Sequence, residues 1–97
     1  MEYVCVVHKK SVEFELNNSS KELRERAKLV NDTIECLINK HPHVILMNDD
    51  PRKIPKFITS NDKVVLCGAY HGNCLSAAQI SFTIKNIPAK YYKGGYI

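Results

Sequence analysis

The stretch Lys63-Val64-Val65-Leu66-Cys67 constrains this chain more than any other. It is a short apolar run with no polar alternation, and Gly68 follows it at once. A strand without a wet face must be covered on both sides, which in a small domain means a parallel sheet between helices. Residues 3–7, Tyr-Val-Cys-Val-Val, have the same character, and residues 2–8 read as a second buried strand.

Between these runs the period changes. After Asn17-Asn18-Ser19-Ser20, apolar residues fall at Leu23, Ala27, Val30, Ile34 and Leu37. Steps of four and three keep one helical face apolar, while Arg24, Glu25, Lys28 and Asp32 take the other. Ser19 and Glu22 have capping-box spacing. Asn39-Lys40-His41-Pro42 ends the helix, since Asn tolerates a left-handed cap and Pro cannot continue. Val12, Phe14 and Leu16 alternate with Glu13 and Glu15, which predicts a strand with one wet face, either paired with residues 2–8 in a hairpin or continuing them.

Residues 43–47 predict a short apolar strand. Pro51 is placed to start a helical turn, Pro55 limits it, and 51–59 is expected to be short or irregular. Ser60-Asn61-Asp62 reads as a turn. Residues 68–73 form a loop, and 74–85 a helix capped by Asn73 and ended by Asn86 and Pro88. Residues 89–92 form a last strand, broken by Gly94-Gly95. The alternation predicts one α/β domain over residues 1–97: an open, Rossmann-like sheet of four or five mostly parallel strands with two main helices.

Composition bounds the function. The 97 residues are 44% apolar and 25% charged, as in ordinary globular proteins and unlike disordered chains. No apolar run approaches the ~20 residues of a membrane span. Met1-Glu2 leads into an apolar run without a basic n-region or cleavage site, so no signal peptide is read and the expected location is the cytoplasm. The charge of +4 comes from 14 basic and 10 acidic residues that interleave, without the dense basic stripe of a nucleic-acid surface. The four cysteines include no CxxC pair. Cys5, Cys36 and Cys67 lie in apolar periodic segments, which suits reduced thiols acting as small hydrophobes.

The segment that carries chemistry is Gly68-Ala69-Tyr70-His71-Gly72-Asn73-Cys74. In open α/β sheets, ligands bind beyond the carboxyl ends of strands. Cys74 falls in the first turn of the next helix, where free amides and the helix dipole stabilise a thiolate or an oxyanion. Gly68 and Gly72 permit close approach of the backbone or a positive φ. Tyr70 and Asn73 lie in the same loop, and His71 is a candidate partner for the Cys74 thiol. Asp49 and Asp50 follow strand 43–47 at the same edge, either as ligand-binding or basic carboxylates or as a helix-start cap before Pro51. A tight strand-to-helix corner needs these glycines whether or not it is a site.

An apolar strand, Gly68, five residues, then Cys74-Leu75 and a helix with Ala77-Ala78 resembles isochorismatase-like cysteine hydrolases over about residues 63–92. The resemblance implies Cys74 as nucleophile, the amides from Tyr70 to Cys74 as oxyanion site, and a small carbonyl or amide substrate. That family has an Asp in an Asp-x-Gln segment on its first strand and a Lys after a middle strand. Residues 2–8 contain no Asp, and Lys53 or Lys56 would be a forced match. Cys67 with Tyr70-His71-Gly72-Asn73, Ala77-Ala78-Gln79 and Gly94-Gly95 is similar to single-domain rhodaneses, which implies sulfur carried on Cys67.

A non-catalytic binding or regulatory module that keeps this corner is the alternative. No metal or cofactor is expected. His41, His43, His71 and Cys74 include metal-ligand types, but isolated surface histidines are the preferred account of them. Tyr91, Tyr92 and Tyr96 beside Lys90 and Lys93 suggest an edge-strand contact with a second copy.

Overall fold

A computed structural model describes residues 1–97 as one α/β unit. Its elements are β1 (Glu2–Val7), α1 (Lys9–Asn18), α2 (Lys21–Lys40), β2 (Val44–Met47), β3 (Lys63–Gly68), α3 (Cys74–Ile84) and β4 (Ala89–Tyr96). The strands form one sheet in the order β2-β1-β3-β4, and every pairing is parallel. The expected class and the four-strand count hold; there are three helices rather than two.

The inner strands are wet on neither side, for the reason their composition implies. Side chains alternate across a strand. Cys5, Val7, Val64 and Leu66 therefore pack on one face with Leu75, Ala78 and Phe82 of α3 and with Ile54 and Ile58. Val4, Val6 and Cys67 pack on the other with Val12, Ala27, Val30 and Ile34 of α1 and α2. The result is three layers. The irregular segment 51–59 contributes Ile54 and Ile58 to the first face, standing where a longer crossover would place a helix.

The expected strand at 11–16 is instead part of α1. Val12 and Leu16 are four apart and share a helical face; Val12 is buried, whereas Phe14 is 58% exposed. A strand would have turned all three the same way. Lys9 reinforces the helix by pairing with Glu13 four residues on, and it ties α1 to α2 by pairing with Glu35 at 2.6 Å.

The α2 face buries Ala27, Val30 and Ile34 as its periodicity predicts. Its cap is Ser20, not Ser19: the Ser20 hydroxyl accepts from the Leu23 amide at 3.4 Å. Asn39 stays inside the helix, which ends at His41 in extended conformation. Cys36 is exposed, because it sits between the inward positions Ile34 and Leu37 and points away from them. Gly94-Gly95 does not break the last strand. The pairing passes from Leu66↔Tyr91 to Gly68↔Tyr96, so the extra β4 residues bulge, with Gly94 at φ 81. No helix is long and apolar enough to cross a membrane.

Candidate functional site

All four strands end at one edge, in the order Met47, Val7, Gly68, Tyr96. The chain leaves β1 toward β2 on one side and leaves β3 toward β4 on the other. The sheet therefore changes direction between β1 and β3, and crevices of doubly wound sheets lie at that reversal. The loop after β3, residues 69–73, stands there beside His8, the left-handed residue that starts α1 at φ 49.

Backbone bonds hold this corner. Ala69 donates to the Val7 carbonyl at 3.0 Å, Ile97 to that of Gly68 at 3.0 Å, and His71 to that of Ile97 at 2.7 Å. The Tyr70 carbonyl accepts from the amides of Asn73 at 3.0 Å and Leu75 at 3.1 Å, and so covers the start of α3. Ser76 Oγ donates to the His71 carbonyl at 2.6 Å. The amides of Tyr70, Gly72 and Cys74 make no backbone hydrogen bond and remain available as donors. Asn73 occupies the position preceding α3, but its side chain makes no capping bond, contrary to expectation; the Tyr70 carbonyl serves the first turn instead.

Gly68 is required by close approach, though to β1 rather than to a ligand. Its φ is 111, and a Cβ there would meet the Val7 carbonyl. Gly72 has open space around it.

The side chains divide between the two faces. The Tyr70 hydroxyl donates to Glu15 Oε1 on α1 at 2.6 Å. That hydrogen bond, followed by burial and the Glu15 charge, holds the Tyr70 phenol above its ordinary pKa; the charge of Cys74 adds to the rise and a hydrogen bond with Ser11 opposes it. The His71 ring turns toward β4, stacked on Tyr96 at 5.1 Å and edge-on to Tyr91 at 5.1 Å. Tyr91 and Tyr96 are 5.2 Å apart, which closes an aromatic trio.

Cys74 is half-buried as the first residue of α3, against the core beneath that helix. Cys5 and Cys67 lie deeper, inside the two core clusters. Both are buried, and desolvation pushes each thiol up to about 12. A thiol so shifted is inert at neutral pH.

Asp49 and Asp50 stand at the same edge as the loop, but beyond β2, with β1 between. Adjacent strands are about 4.8 Å apart, so the two end positions are separated laterally by about 10 Å. Asp50 is committed to its own turn: Oδ1 accepts from the Arg52 amide at 2.9 Å and from Nε at 3.0 Å, and Oδ2 from the guanidinium at 3.1 Å. The Arg52 guanidinium holds the Asp50 carboxyl down at about 2. His41 and His43 precede β2 and therefore lie at the opposite edge from His71 and Cys74. His41 faces Glu2 at 3.4 Å, and no group of three metal-ligating side chains comes together.

Sequence reasoning missed Glu15 and His8. Both depend on α1, and the alternation at 11–16 concealed that helix. The available signal was the four-residue spacing of Lys9 with Glu13 and of Val12 with Leu16.

No family model, no curated protein and no solved structure matches this chain.

Proposed function

We propose that this chain is a non-catalytic binding or regulatory module that seats a small planar ligand carrying a carbonyl or carboxylate oxygen. The observation that supports this reading is the juxtaposition of the His71, Tyr91 and Tyr96 trio with the unengaged amides of Gly72 and Cys74. Aromatic faces stack on planar ligands, and amides at a helix start bind oxygen that carries negative charge. The loop is already tied by its own bonds, so little ordering opposes binding. Titrating 15N-labelled protein with benzamide and with benzoate tests this. Shifts confined to the amides of Tyr70 to Cys74, Tyr91 and Tyr96 are expected. No shift at those positions at millimolar probe overturns it.

A second reading, hydrolase-like chemistry, is favoured by the placement of Cys74. Its sulfur would bond to the acyl carbon, the amine would leave with the thiol proton, and water would release the acid. On this reading, iodoacetamide at pH 6–7 modifies Cys74 far faster than exposed Cys36; equal slow labelling rules it out. The binding reading expects Cys74→Ser to retain probe affinity. A cytoplasmic location and a homodimer along β4 belong to the same proposal, since β4 leaves one side of its eight-residue backbone unpaired. Equilibrium sedimentation tests the dimer.

A further inference from the structure

Tyr70 belongs to the corner through its backbone and to α1 through its side chain. The ring lies against the layer that contains Val12 and Ala69, and the hydroxyl reaches Glu15, 55 residues away in sequence. At 2.6 Å the bond to Glu15 falls in the range of hydrogen bonds from a hydroxyl to an ionised carboxylate, which are stronger than neutral ones. The carbonyl of the same residue faces the other way and receives the amides of Asn73 and Leu75. Tyr70 thus joins α1 directly to the first turn of α3.

We infer that Glu15 is a positioning residue for the 68–74 corner: acting through the Tyr70 phenol, it holds the Tyr70 carbonyl over the start of α3 and sets where the Gly72 and Cys74 amides point. Only the ligand in this inference rests on the binding proposal above. The clamp itself is a matter of two hydrogen-bonded ends of one residue.

Amide hydrogen exchange of the full chain tests it, because the Asn73 and Leu75 amides both report the Tyr70 carbonyl. Glu15→Leu keeps apolar bulk and removes the acceptor. It is expected to speed exchange at Asn73 and Leu75 about tenfold while amides within β1 and β3 keep their protection. Glu15→Gln retains an oxygen acceptor for the phenol without its charge and is expected to keep exchange at both amides closer to wild type than to Glu15→Leu. Tyr70→Phe retains the ring without its hydroxyl, so it should reproduce Glu15→Leu, and it serves if that variant does not fold. Wild-type protection at both amides in Glu15→Leu or Tyr70→Phe overturns the inference. So does Glu15→Gln exchanging as fast as Glu15→Leu, since Glu15 would then not act as an acceptor. Failure of benzamide and benzoate to bind, with these exchange effects present, sinks the binding proposal alone.

Discussion

Gly68 and Val7 stand so close that a Cβ on the glycine would lie 2.0 Å from the Val7 carbonyl oxygen. The two residues are register partners at the ends of β3 and β1. That carbonyl also accepts from Ala69 at 3.0 Å. The strands at the reversal point are therefore joined to their last residue, and the loop bearing Tyr70 to Cys74 starts from a fixed place.

Gly68→Ala meets both a positive φ and a backbone oxygen that cannot move aside. A loss of about 3 kcal/mol or more is expected in urea unfolding. Gly72→Ala has nothing within 4 Å of the new methyl and should stay within about 0.5 kcal/mol of wild type. Equal effects would show that the corner is not held as described.

Val12 and Phe14 distinguish α1 from a strand. Val12→Ala removes buried volume and should cost about 2 kcal/mol. Phe14→Ser alters a mostly exposed side chain and should change stability by less than about 0.5 kcal/mol. Denaturant midpoints measure both. A larger loss for Phe14→Ser would mean that the alternating pattern, not the helix, is satisfied.

The buried thiols set a pH limit. Cys5 and Cys67 have folded pKa values raised to about 12 against 9.0 for the free side chain. Between these values the unfolded chain has released protons that the folded chain retains, so stability falls as pH rises. The contribution is intact below pH 9, and each thiol adds a slope of about 1.4 kcal/mol per pH unit above it. Urea midpoints from pH 8 to 10.5 should drop less steeply for Cys5→Ala/Cys67→Ala than for wild type. Parallel curves would contradict the burial.

Ser20 rather than Ser19 caps α2. Ser20→Ala is expected to lower stability by about 1 kcal/mol and Ser19→Ala to leave it nearly unchanged, measured by thermal melting. The reverse order would move the start of the helix by one residue.

The sequence by itself determined the class of fold. Lys63–Cys67 and Tyr3–Val7 have no wet face, and the apolar stripe from Ala27 to Ile34 has helical spacing. Those patterns are local, and they demand a sheet covered on both sides. They also put Cys74 at a helix start after a strand. Tertiary structure decided the rest. Val12, Phe14 and Leu16 suit either period until a surface is present, and contact with α2 selected the helix by burying Val12 and exposing Phe14. With α1 came Glu15, whose bond to Tyr70 spans 55 residues and has no signature in either segment. The separation of Asp50 from the 68–74 loop was likewise set by strand order, because β1 pairs between β2 and β3. Side-chain periodicity says which face of a strand is buried, but strand order depends on which backbones pair, and that is a property of the assembled sheet.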